Sequence, residues 1–450
     1  MGEHIHDCVV VGAGPAGSAA ALQLARDGLD VVLLERGERP GEKNVMSGIL
    51  YTDTLVELIP DFADRAPLER QITSGYAMHY LTADAVVTLP TLRDYRQAPP
   101  GPAYYTVFRG MFDAWFAEEA VEAGAELFTA TLVEDLLWED GRVAGVRTVR
   151  GDLRARMVIG ADGVNSAVAE KSGLRPRLAP GEVALIVRQV LDLPAAVIEE
   201  RFALRPGEGL INLFIGSLSG REAREGVYYT ELYTNRDSLS LTSEVRLDAL
   251  QDCGLPAYEA LAVREQHPYI ASLIEGSSLR EYQAHLIPYG GVGDLGSLYG
   301  DGVLLAGDAG KFTTDEGVGS WTSMASGKAA ARTVKHALGR GDCSRRTLSA
   351  YVAFLDEEGL VETQRSARRE WSTHTKRRRI LDRRPEHVVA LARRYFGRWR
   401  LEECAHPHSM WGQAFHTLIR PLVPWFLRVP LGLVTWIDTL RWRRRHRRSH

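Results

Sequence analysis

The sequence predicts an α/β protein in which a Rossmann-like unit is interleaved with an antiparallel-sheet unit and followed by a helical C-terminal segment. Three observations carry this. An apolar run, Cys8-Val9-Val10-Val11, opens into Gly12-x-Gly14-x-x-Gly17, a helix-period Ala/Leu stretch and a second apolar run, Val31 to Leu34, that ends on Glu35. Two later apolar runs break at corners of the same kind, Gly160-Ala161-Asp162-Gly163 and Gly307-Asp308-Ala309-Gly310. Between them, residues 181–247 are strand-rich and alternate in character, as in 226–233 and 238–242. The expected boundaries are 1–175 and 291–340 for the two parts of the first unit, 176–290 for the sheet unit and 341–450 for the helical segment.

In the first corner, Gly12 permits the tight turn, Gly14 leaves room for a pyrophosphate to approach the backbone, and Gly17 lets the helix lie close on the sheet. Pro15 and Ala16 complete the turn, whose amides and positive dipole end suit phosphate. Glu35 is placed to accept hydrogen bonds from a ribose 2′-hydroxyl and to repel a 2′-phosphate. An adenosine dinucleotide without that phosphate is implied.

Residues 40–51 read as a loop folding back over this site, and 72–98 as short strands and turns. Met111 to Ala123 has helical periodicity, with Phe112, Trp115, Phe116 and Ala120 on one face. Arg109, at its N-terminal edge, is positioned either to cross a pyrophosphate or to pair with an acid. Residues 127–138 and 142–149 are two strands joined by the turn signal Glu139-Asp140-Gly141. Helices are expected around 248–275 and from the third corner to about Leu338. Gly291-x-Gly293-x-x-Gly296 follows Pro288 and precedes no helix, so it reads as a turn-rich loop and not as a second nucleotide fingerprint.

The formal net charge of −4 conceals an asymmetry: residues 365–450 hold 21 Lys+Arg against 6 Asp+Glu, a balance of +15 against −19 for the remainder. In 415–448, prolines and Arg420 and Arg428 argue against a spanning helix. Its aromatic residues beside a terminal arginine cluster fit either the headgroup region of an anionic bilayer or a helical lid on the acidic body. No recognised module accompanies the arginines, so nucleic-acid binding is not expected. Cys8, Cys253, Cys343 and Cys404 have no metal-site spacing, and a core strand beginning near Met1 leaves no room for a signal peptide. A cytoplasmic setting, without a bound metal, is expected, with contact at the inner face of the membrane if the bilayer reading of the tail holds.

Together the three corners resemble the FAD contacts of flavoproteins with the p-hydroxybenzoate-hydroxylase-like fold. More narrowly, Lys43-Asn44-Val45, Ser47-Gly48, 233–241, 281–288 and Ser326-Gly327-Lys328-Ala329-Ala330 resemble the FixC and electron-transfer-flavoprotein:quinone oxidoreductase family, whose neighbours are geranylgeranyl reductases. The resemblance spans about 5–340. It implies FAD held by Gly12, Gly14, Pro15, Ala16, Gly17, Glu35, Arg36, Ser47, Arg109, Val133, Asp162, Gly163, Gly307, Asp308, Gly317, Gly319 and Ser320. The family's quinone oxidoreductases carry a C-terminal four-cysteine cluster module; here only Cys404 follows 343, so a one-electron relay would need a separate ferredoxin-like partner. Asp315-Glu316-Gly317-Val318-Gly319 also departs from the family's Arg-Glu-Gly-x-Asn and is closer to the Glu-Gly of the prenyl reductases.

The expected activity is two-electron transfer between a redox partner, namely an electron-transfer flavoprotein, a ferredoxin-like protein or a quinone, and a small organic or lipid-like substrate, which is oxidised or reduced at a C=C bond. Alternatives are a flavin monooxygenase of the same fold and an electron relay with no small substrate. Candidate proton carriers are His285, Tyr289, Lys311 and Glu316.

Overall fold

Apolar runs without alternation build the first sheet. In the computed structural model, which describes residues 4–42, 47–89, 104–216, 229–254, 256–313, 319–374, 388–390 and 392, eight strands form this layer. Its central order is Tyr299–Gly300, Val303–Leu305, Gly151–Gly160, Ile5–Val11, Val31–Leu34, Glu126–Phe128. All but the first pair run parallel. Residues 8–11, 31–34, 157–160 and 303–305 are buried throughout, as strands covered on both faces must be. The predicted hairpin is Val133–Glu139 and Arg142–Thr148, turning through left-handed Asp140 and Gly141.

Helices Pro15–Arg26 and Ser320–Arg340 pack backbone to backbone. A Cβ on Gly327 would stand 2.1 Å from the Ala16 carbonyl oxygen, and one on Gly17 would stand 1.8 Å from that of Gly12. Small residues are therefore required at this crossing. The chain beyond docks onto the same place: Tyr351, in helix Ala350–Glu357, donates its buried hydroxyl to the carbonyls of Leu305 and Ser326 at 3.0 and 3.2 Å.

The second sheet has nine strands. The order is Ser278–Pro288, Val183–Asp192, Ser238–Arg246, Tyr229–Thr234, Glu208–Ile215, Leu68–Thr82, Tyr104–Phe108, Ser47–Tyr51, with Ala85–Leu89 beside Leu68–Thr82. It is antiparallel except where Glu208–Ile215 runs parallel to Leu68–Thr82. One face buries Val187, Leu191, Phe214, Leu232, Leu239 and Leu241 against Ile198, Leu261 and Ile270 from the helices Ala195–Arg201, Ala257–Glu265 and Pro268–Ile274. The alternate residues face the first sheet. Strands from 47–108, which the sequence reading grouped with the first unit, belong to this sheet. Their partners lie far along the chain, so local pattern does not reveal the pairing.

A buried arginine ties the sheet together. Arg70 is 2 % exposed and donates to the carbonyls of Asn235, Arg236 and Glu208 at 2.6, 3.0 and 3.2 Å, and to the Glu199 carboxylate at 3.0 Å. The Asn235 amide in turn donates to the Ser238 and Ser240 hydroxyls at 3.2 and 2.9 Å. The segment 233–241 that carries the family resemblance thus has a structural task. Among the described residues no helix is long and apolar enough to cross a membrane. The basic and aromatic stretch 415–448 lies outside them. Replacing Arg70 with Met strands the buried Asn235 carbonyl and three partly covered acceptors, and should destabilise the protein by about 3 kcal/mol; a shift of the urea midpoint below a quarter of that equivalent would contradict the tie.

Candidate functional site

The three glycine corners are neighbours because the strands that deliver them are neighbours. Gly12 N–H donates to the Leu34 carbonyl at 2.7 Å, Ala161 N–H to Val11 at 2.8 Å and Ala306 N–H to Gly160 at 2.9 Å. A Cβ on Gly12, whose φ is 102°, would meet the Ala161 carbonyl oxygen at 2.4 Å, and one on Gly307, φ 59°, would meet the Ala16 side chain at 2.8 Å. All three corners sit at the carboxyl ends of adjacent parallel strands, where open α/β sheets bind ligands.

Between them and the second sheet runs one cleft of about 2100 Å³, its open mouth included. Its lining extends from the three corners across to the second sheet, an elongated shape that suits an extended cofactor with a substrate beside it. Gly12, Gly14, Pro15, Ala16, Glu35, Arg36, Arg109, Val133, Asp162, Gly163, Gly307, Asp308, Gly319, Ser320 and His285 all line it. Gly17 does not; it serves the helix packing. Strand Ser47–Tyr51 reaches the cleft through Gly48, Ile49 and Leu50. The Ser47 side chain, Glu316 and Gly317 lie outside the described residues.

Glu35 and the first turn are held in place by backbone. Glu35 accepts from Gly37 N–H at 2.7 Å and Ala13 N–H at 3.2 Å, which pins its carboxylate beside the first turn. A Cβ on Gly14 would meet nothing within 4 Å, so the cradle over the first helical turn is open. Helix geometry leaves the opening amides of that helix without intrahelical acceptors. These features fit a bound pyrophosphate.

Arg109 pairs with an acid, as one of its two alternatives had it: it makes a bidentate pair with buried Asp113, at 2.7 and 2.8 Å, while lining the cleft. Asp113 and, behind it, Asp308 offset the desolvation of the guanidinium and hold its pKa above the usual value. Asp162 accepts from the Ser166 hydroxyl and from Val168 N–H at 3.1 Å, capping the helix Ala167–Lys171 as well as lining the cleft. Asp308 is half-buried, and desolvation raises it to about 6 against the opposing pull of Arg109 and Arg175. Arg175 itself bridges the second and third corners, donating to the carbonyls of Val164 and Ala309 at 3.1 and 2.9 Å.

The proton-carrier candidates separate. His285 lines the cleft, but burial, reinforced by Arg109 and Arg36, lowers its pKa to about 4, so it is neutral at physiological pH. Lys311 is a correction: it is not a cleft residue, because its left-handed backbone, φ 64°, ends the turn Gly307–Gly310 and its ammonium pairs with Glu182 at 2.7 Å. Tyr289 donates its hydroxyl to Glu244, which lines the cleft.

Residues that the sequence reading did not single out complete the wall: Ile186, Arg188, Glu231, Thr242 and Glu244 from the second sheet. A signal existed for one of them, since Arg188 is a lone cation within the apolar run 183–191.

Comparison with known proteins agrees with this geometry. The FAD binding domain family matches residues 6–237. Protein FixC of Escherichia coli strain K12 is 41% identical over 363 residues, 80% of this chain and 83% of that protein. The probable electron transfer flavoprotein-quinone oxidoreductase YdiS of the same strain is 38% identical over 372 residues, 82% of this chain and 85% of that one. Among solved structures, a geranylgeranyl bacteriochlorophyll reductase-like protein from Thermoplasma acidophilum superposes with a TM-score of 0.68 at 20% identity, covering 92% of this chain and 97% of that one. With the glycine corners converged on a cleft that fits a dinucleotide, and with relatives this similar along most of its length, the chain belongs to the FixC family of FAD-dependent oxidoreductases.

Proposed function

We propose that this protein passes two electrons between a redox partner and an organic substrate, the partner being an electron-transfer flavoprotein, a ferredoxin-like protein or a quinone. The names of the FixC and quinone-oxidoreductase relatives support this reading. The observation that carries it is a cleft with two unlike halves, glycine corners with open backbone on one side and a polar, protonatable sheet face on the other. Bound FAD would supply the two-electron chemistry, and the chain supplies position, charge and protons.

In this reading the opening amides of helix Pro15–Arg26 hold the pyrophosphate and Glu35 holds the adenosine ribose. Arg109, kept charged by Asp113, offsets phosphate charge, and Asp162 and Asp308 accept from hydroxyls along the linking chain. The positive end of helix Ser320–Arg340 favours negative charge on the ring edge beside it.

On the substrate side, Glu244 is the group suited to exchange protons near neutrality. Desolvation raises it to about 7, opposed by the hydrogen bond from Tyr289. Its acid form is a donor below that pH and its carboxylate an acceptor above it.

Three outcomes test this. Dithionite-reduced holoprotein should be reoxidised rapidly by a ubiquinone analogue or an electron-transfer flavoprotein; substrate-triggered oxygen uptake with a hydroxylated product would instead establish a monooxygenase. Gly14→Val should purify colourless but folded, because a branched side chain fills the open cradle, and yellow protein of normal flavin content would refute the pyrophosphate assignment. Folded Glu244 keeps its proton from pH 4.5, where the unfolded group loses it, up to about 7, so its contribution to stability falls across that window as pH rises. Glu244→Gln should therefore gain stability relative to the parent between pH 5 and pH 8 in urea melts; parallel pH curves would show that the carboxyl is not desolvated.

A further inference from the structure

The cleft-facing side of the second sheet is built in rows across the strands. Pairing aligns Gln283, Arg188, Thr242 and Glu231 in one row, with His285, Ile186 and Glu244 in the next. In the first row three consecutive neighbours keep buried polar atoms without a partner among the described residues: Gln283 Oε1, Arg188 Nε and Nη1, and Thr242 Oγ1.

Arg188 is 4 % exposed and lines the cleft. Among the described residues its one side-chain hydrogen bond runs from Nη2 to Glu281 Oε2 at 3.3 Å, and that carboxylate is 37 % exposed. The Phe108 ring centroid lies 5.9 Å from the guanidinium carbon. Burial lowers the Arg188 pKa to about 10, which leaves it charged at neutrality. A desolvated cation with unspent donors is costly unless something completes its hydrogen bonds and charge. An uncharged carbonyl compound would satisfy donors but not the charge; a carboxylate satisfies both.

We propose that Arg188 and Thr242 receive the carboxylate of an organic-acid substrate whose apolar body lies against Ile186 and Ile287, an assignment that rests on reading this cleft as the place where substrate meets FAD. Arg188 is then the residue that determines substrate class, and Thr242, one strand away, orients the second oxygen. Gln283 completes the row behind the guanidinium.

Calorimetric titration of the holoprotein with benzoate and octanoate, and with benzamide and octanamide as uncharged counterparts, tests this. The carboxylates should bind at least about tenfold more tightly than the amides. Arg188→Met should weaken the carboxylates by about 30-fold or more while leaving the amides nearly unchanged, and Arg188→Lys should restore part of the loss. Thr242→Val, which keeps the shape and removes the hydroxyl, should cost about three- to tenfold. Carboxylates binding no better than amides, equal carboxylate affinity in Arg188→Met, or an Arg188-dependent affinity for menadione alone would each overturn the proposal. Flavin absorbance, recorded on every sample, separates the two levels. Yellow wild-type protein that ignores carboxylates overturns this assignment and leaves the cofactor reading standing; wild-type protein that holds no flavin overturns both.

Discussion

Everything in this molecule depends on a few places where two backbones come too close for any side chain. At Gly12 the turn after the first strand touches the Ala161 carbonyl; at Gly17 and Gly327 the two long helices meet each other and the turn. A methyl group at any of them would push apart the very strand ends that form the cleft. The glycines are therefore a packing requirement first. The open space over Gly14, where a Cβ would meet nothing, is what that packing leaves for a ligand.

The second sheet contributes by having two unlike faces. Period-two alternation sends Val187, Leu191, Leu239 and Leu241 into a dry core under the helices and sends Ile186, Arg188, Thr242 and Glu244 to the cleft. Burial of the first set holds the sheet in place, and the second set gives the cleft wall its polar chemistry. One strand thus serves stability and recognition with adjacent residues, which is why a single-residue register slip would destroy both.

Three arginines illustrate how charge is used. Arg70 spends its donors on backbone carbonyls and Glu199, and acts as a clamp. Arg109 is held by its bidentate pair with Asp113 at the edge of the cleft, which fixes its orientation and uses two of its donors. Arg188 keeps Nε and Nη1 free. The difference is one of remaining hydrogen-bond capacity, and only the last has enough to define a ligand by itself.

The sequence by itself determined the corners. Uninterrupted apolar runs ending in glycine and acid are local signals, and each of those runs became a buried parallel strand with its carboxyl end at the cleft. The helices after Gly14 and Gly319 and the Asp140-Gly141 hairpin were equally legible, since periodicity and turn chemistry act over a few residues. Tertiary structure alone decided that Leu68–Thr82 pairs in parallel with Glu208–Ile215, that Lys311 turns to Glu182, and that Arg188, Thr242 and Glu244 face inward. Alternation announces that a strand has two faces, but which face meets helices and which meets a cleft is set by contacts made far along the chain, and no local pattern carries that information.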